Sequence, residues 1–231
     1  MRFKRKNVCI SLLTLLVFLC IIYNINMAPS GFQEDVDAFA IKVNSVLSYY
    51  EYTFYTLILL PFYLVFFVYI HEPVLQMLIR QKSKKKIALQ EITHSFLSSL
   101  LFTGFVYGIG MIFPMICGVM SESFFISYTI QSFFMWLVFT IVSNIALIVM
   151  AFSRNLIFQM GVPFAIVMLY HVFRQRVFNI FLEMNVVIIC FGENLPFSNC
   201  IILSISIAVL LIATIVLNLF VSSEKEYLDA R

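Results

Sequence analysis

Six apolar runs succeed one another along the chain, at about 8–27, 53–70, 95–117, 124–152, 156–173 and 201–221, with polar and charged residues gathered between them. The hydrocarbon core of a bilayer is about 30 Å thick and asks for roughly 20 apolar residues per helix. The pattern therefore predicts an all-α, polytopic membrane protein, a single transmembrane domain over 1–231 with six transmembrane helices. The first run follows Arg2, Lys4, Arg5 and Lys6. It reads as a retained signal anchor rather than a cleaved signal peptide, because it extends through Ile25 and Met27 and further spans follow.

One stretch does not fit the six runs. Residues 177–191 are apolar but few, interrupted by Asn179, Glu183 and Asn185, and followed by Gly192, Glu193, Asn194, Leu195 and Pro196. As a seventh span this segment would hold Glu183 near mid-membrane at a cost of about 2.5–3.5 kcal/mol and leave the C-terminus outside. A re-entrant or interfacial hairpin over 177–196, on the outer face between spans five and six, avoids that cost. Cys190 and Cys200 can meet there as a disulfide, although two separate thiols are the commoner arrangement.

Composition agrees with lipid as the solvent: 62% of the residues are hydrophobic and 12% charged, which excludes an ordinary soluble domain. The net charge of +3 matters through its distribution. With six spans and both ends inside, Arg2, Lys4, Arg5, Lys6, Arg80, Lys82, Lys84, Lys85, Lys86, Arg154, Lys225 and Arg231 face the cytoplasm, and only Lys42, Arg174 and Arg176 lie outside. Basic residues are retained on the cytoplasmic side, so both termini are expected there.

Candidate chemistry is sparse. Asp35, Asp37 and Asp229 all fall in loops or the tail, which leaves no carboxylate pair for intramembrane hydrolysis. His71-Glu72-Pro73 has the start of a zinc motif without the second histidine at helical spacing, and the five cysteines form no CxxC pair, so no metal site is expected. His71 reads as a histidine at the membrane boundary. His94, near the mouth of the third span, and His171, one turn before Arg174, read as structural. No phosphate-binding GxxxxGK[ST] loop occurs and the spans carry few ionisable groups, so energy for any work is expected from another subunit rather than from an ion gradient. No nucleic-acid partner, catalytic residue or cofactor in this chain is expected.

Two segments carry more pattern. Gly104 and Gly108 are one helical turn apart in the third span, with Gly110 and the serines Ser95, Ser98 and Ser99, and this small-residue stripe is expected to let helices pack closely, within the bundle or between subunits. Between spans two and three lies a cytoplasmic elbow, 72–94. Val74, Leu75, Leu78 and Ile79 recur at helical spacing, which predicts a short interfacial helix over 73–80; Ser83 is then a plausible N-cap for a third helix that enters the membrane after His94. The bland alternative is that Arg80 and the lysines only fix topology and touch anionic lipid.

The run Ile79-Arg80-Gln81-Lys82-Ser83-Lys84-Lys85 resembles the elbow of small ABC-2-type (type V) ABC transporter permeases of Gram-positive bacteria, many of which serve peptide or bacteriocin export and immunity. The plan of six spans, ends inside and an outer hairpin carrying Glu183 and Glu193 is similar too. The resemblance implies a bacterial cell-membrane permease paired with a second copy or a sister permease. It also implies a separate ATPase subunit holding ATP and Mg, docked on Leu75, Leu78, Ile79, Arg80, Ser83, Lys84, Lys85, Lys86 and Glu91. The 26 phenylalanines and 11 methionines suit an amphipathic peptide or lipid-like cargo. The alternative is a membrane immunity factor or scaffold that transports nothing.

Overall fold

The structure, a computed structural model, describes residues 9, 12–17, 58–78, 84–116, 122–153, 155–174 and 197–224. Five long helices organise these residues: α1 (Leu60–Leu78), α2 (Lys84–Ile116), α3 (Glu122–Phe152), α4 (Leu156–Arg174) and α5 (Phe197–Glu224). No strand occurs among the described residues. The cause is compositional. Uninterrupted apolar runs in a solvent that cannot satisfy the backbone must close every N–H and C=O within the segment, and only a helix does so locally.

Three helices contain stretches long and apolar enough to cross a membrane, Lys86–Ile112, Tyr128–Phe152 and Ser204–Ser222; two shorter apolar helices, Leu60–His71 and Leu156–Leu169, accompany them. The helices do not share the bundle equally. α3 is central and packs against each of the other four, whereas α5 packs on α2 and α3. Half of the α2 and α3 spans is buried, against 11% of the α5 span. The partner pairs fix directions: His71 meets His94 and Tyr63 meets Phe102, so α1 and α2 are antiparallel. Ser99 meets Thr140 and Tyr107 meets Thr129, so α2 and α3 are antiparallel as well.

An aromatic hub holds the centre. The Tyr63 ring stacks on Phe139 at 4.5 Å between centroids and tilts against Phe102 at 5.2 Å, and Phe102 meets Phe139 edge-on at 5.5 Å. Leu59, Leu64, Phe67, Val106, Met135 and Ala146 extend this core, and Leu15 of the first apolar run is fully buried in it. The α3–α4 connection is short because it is capped: the Asn155 carboxamide oxygen accepts from the Ile157 amide at 3.0 Å, and the Gln159 side chain donates to the Ser153 carbonyl. Such an N-cap contributes about 1 kcal/mol.

Two local expectations change. α1 runs unbroken through Pro73 to Leu78 rather than ending at Ile70 and restarting, so the residues expected as a separate interfacial helix prolong α1. Pro73 removes one N–H, which orphans the Tyr69 carbonyl, and one lost bond does not end a helix anchored along its length. α2 likewise begins at Lys84 and is apolar from Lys86, well before Ser95. The hairpin 177–196 with Glu183 and Glu193, and Cys190, lie outside the described residues.

Candidate functional site

The helices position a buried polar seam, concentrated toward the end where α1 and α2 are joined, which we call the elbow end. Every buried polar group in lipid or in a packed core must find a partner, and here they find each other across helices. Asn144 of α3 is the junction. Its amide nitrogen donates to the Ser95 hydroxyl of α2 at 3.3 Å and to the Thr140 carbonyl at 2.9 Å, and its oxygen accepts from Asn218 of α5 at 3.2 Å. Both donors and the acceptor of one carboxamide are thus used, which ties three helices at one depth. Ser222 extends the chain to Asn218 at 3.5 Å.

One turn deeper, the Ser99 hydroxyl lies 2.7 Å from that of Thr140, and the Trp136 indole donates to the Phe96 carbonyl at 3.2 Å. The Tyr63 hydroxyl sits among Ser98, Ser99 and Ser143 but makes no hydrogen bond of good geometry. The Thr103 hydroxyl is buried and equally unpartnered. With Gln90 Oε1, next to Glu91 on α2, these are the places among the described residues where buried polar capacity is left over.

At the elbow end the seam becomes ionisable. His71 of α1 is 1% exposed and Glu91 of α2 is 2% exposed. The His71 Nε2 atom lies 3.9 Å from a Glu91 carboxylate oxygen, and its Nδ1 atom lies 3.5 Å from Nδ1 of His94. Phe67 stacks on the His71 ring at 5.5 Å and closes the cluster from the side of the aromatic hub. Glu91 and His94 approach opposite nitrogens of His71, so the three do not converge on one point. Among the described residues no group of three or more His, Cys, Asp or Glu is arranged to hold a metal. Ser95, next to His94, directs its hydroxyl proton to the Ile92 carbonyl at 2.8 Å rather than to an imidazole.

The residues expected from sequence are distributed differently. Glu91, expected on the docking surface, is buried against His71, because the third helix starts early enough to carry it into the bundle. Lys86 is exposed. Leu75, Leu78, Lys84 and Lys85 belong to α1 and α2, whose side chains at those positions are not described, and Ile79, Arg80 and Ser83 lie outside the described residues. Gly104 and Gly108 face open space: a Cβ built at either would meet nothing within 4 Å. Residues 95 and 104 are nine apart, about 180° around a helix, so the serines face the core while the glycines face away from it. The seam itself was missed, although His71 and His94 are equidistant from the midpoint between Lys82 and Ser83, as are Tyr63 and Phe102. In an antiparallel helix pair such residues meet.

The chain matches no family model, no curated protein and no solved structure. What the fold defines is a helical membrane protein.

Proposed function

We propose that this chain is the membrane-spanning permease subunit of an ATP-driven exporter in a bacterial cell membrane. It crosses six times with both ends in the cytoplasm, and a separate ATPase docks at the elbow between α1 and α2. The observation that carries the reading is the build of that elbow. α1 continues past the buried His71 to Leu78, α2 opens on Lys84, Lys85 and Lys86, and the two helices are clasped just inside by His71, Glu91 and His94. A push on such an elbow moves two long helices rather than a loose loop. Amphipathic peptides or lipid-like molecules are the cargo that the apolar surfaces suit.

A second reading, a non-transporting immunity factor or scaffold, is favoured by the mutual satisfaction of the Asn144, Ser95 and Asn218 side chains, which suits a static bundle. Purification in mild detergent separates the two. Co-elution of an ATPase that is lost on changing Lys84, Lys85 and Lys86 to glutamine supports the exporter, whereas a chain that elutes without an ATPase supports the scaffold.

A further inference from the structure

Of the Tyr63 and Thr103 hydroxyls, both buried and unpartnered, only the first has no remedy within its own helix. A threonine can turn its hydroxyl to the carbonyl one turn earlier, whereas a tyrosine hydroxyl stands too far from its own backbone to do so. Tyr63 is fully buried, and its ring is held by Phe67, Phe102 and Phe139 at 6.1, 5.2 and 4.5 Å between centroids. Its hydroxyl is thereby aimed among Ser98, Ser99 and Ser143. We propose that the Tyr63 hydroxyl, with Ser98 and Ser143, binds one internal water molecule that joins α1 to α2 and α3. The inference stands whether or not the chain carries cargo.

The serine protons around it are already committed. Ser98 donates to the Ser95 carbonyl at 3.1 Å and Ser143 to the Thr140 carbonyl at 2.9 Å. Ser99 and Thr140, 2.7 Å apart, divide their two protons between each other and the Phe96 and Trp136 carbonyls. What Ser98 and Ser143 have left is lone pairs, and what Tyr63 has left is one O–H. A water molecule matches that set. It accepts from Tyr63 and donates to Ser98 and Ser143, about three bonds, the usual number for a buried water. An ion does not match it: a cation would meet the Tyr63 proton and an anion the serine lone pairs, and the rings of Phe67, Phe102 and Phe139 carry no opposite charge.

The surroundings keep the site apart from bulk water. Tyr63, Ser98, Ser99 and Ser143 are each at most 2% exposed, and the wedged ring cannot swing toward a serine to replace the water with a direct bond. α2 and α3 hold each other directly, through Ser99 and Thr140 and through Ser95 and Asn144. The water gives α1 a different kind of link to that pair. A molecule that can turn and exchange partners adjusts to a change in spacing that a direct hydrogen bond would not survive. α1, which leads into the elbow, is therefore the helix best able to shift against α2 and α3 at the depth of the aromatic hub.

Labelling from the water itself tests this. Full-length protein in lipid nanodiscs is equilibrated in ¹⁸O-water and given a brief X-ray pulse, which turns water into hydroxyl radical where it stands, and the inserted ¹⁸O is mapped by mass spectrometry. Tyr63 is expected to take up label although it is 0% exposed, while Phe67, equally buried and stacked on it, does not. Ser143→Ala removes one acceptor, keeps α3 helical and lowers the Tyr63 label severalfold. Tyr63→Phe lowers the thermal midpoint in detergent, because a satisfied hydroxyl is lost; removing a dry, orphaned one would raise it. Tyr63 without label overturns the proposal, as does equal label on Tyr63 and Phe67, which would mean that bulk water enters the hub. A midpoint unchanged or raised in Tyr63→Phe overturns it too. The wild-type labelling does not depend on any variant folding.

Discussion

The two ends of the bundle are held by different forces. At the elbow end, α2, α3 and α5 are joined by side-chain hydrogen bonds through Ser95, Ser99, Thr140, Asn144 and Asn218, and α1 meets α2 through His71 and His94. Toward the other end, the Ile109, Met111 and Met135 side chains pack in the apolar core, and the polar contacts across helices are fewer: Tyr107 to Thr129 at 3.0 Å on the exposed side and the buried Tyr128 hydroxyl to the Val106 carbonyl at 3.4 Å. Apolar packing in lipid gains no hydrophobic driving force and tolerates sliding, whereas a carboxamide with all its groups paired tolerates none. The elbow end therefore sets register, and the far end supplies bulk contact.

The comparison breaks first at the boundary between the two ends, where Phe102 touches Tyr63, Phe66 and Phe139. Phe102→Ala removes a ring that separated helices would keep solvated by lipid, so the cavity remains as the main cost, roughly 2 kcal/mol. A fall in thermal midpoint in detergent, larger than for any far-end Met→Ala change, is the expected result. Asn144→Leu comes next, at about 1–2 kcal/mol, from three hydrogen bonds that each contribute modestly inside a membrane. A double-mutant cycle with Asn218→Leu should return a coupling of about 0.6 kcal/mol; additivity would mean the bond between them holds nothing. The smallest effect belongs to the glycines. Gly104→Ala and Gly108→Ala meet no neighbour in this chain and should leave stability unchanged or raise it by about 0.5 kcal/mol through helix propensity. A drop in stability that tracks protein concentration would instead place a second copy against that face.

How far the sequence carries can be judged from particular residues. The apolar runs over 124–152 and 156–173 correspond closely to α3 and α4, and that over 201–221 lies within α5, because run length alone specifies a helix in a solvent without hydrogen bonds. Helix ends were less legible: Pro73 reads locally as a boundary, yet α1 passes through it, since packing along the rest of the helix outweighs one missing bond. The seam was illegible one residue at a time. A serine, an asparagine or a terminal histidine in a span is ordinary, and becomes a site only when a neighbour on another helix stands at the same depth. His71 and Glu91 acquire their meaning from the α1–α2 register, which depends on the path of the residues between them.

Unequal span lengths have a further consequence for how the bundle sits in its solvent. The apolar stretch Ser204–Ser222 of α5 has 19 residues and that of α2, Lys86–Ile112, has 27. At 1.5 Å per residue these are about 28 Å and about 40 Å long, against a hydrocarbon layer of about 30 Å. α5 matches the layer while nearly upright, whereas α2 must tilt by roughly 40° or thicken the lipid around it. The angle between them is therefore a function of membrane thickness, and Asn144 of α3, bonded to Asn218 of α5 and to Ser95 of α2, marks the depth about which that angle changes. Lipids with shorter acyl chains would lean both helices, α5 through the larger angle because it starts nearly upright, so chain length alone becomes a mechanical input to the elbow.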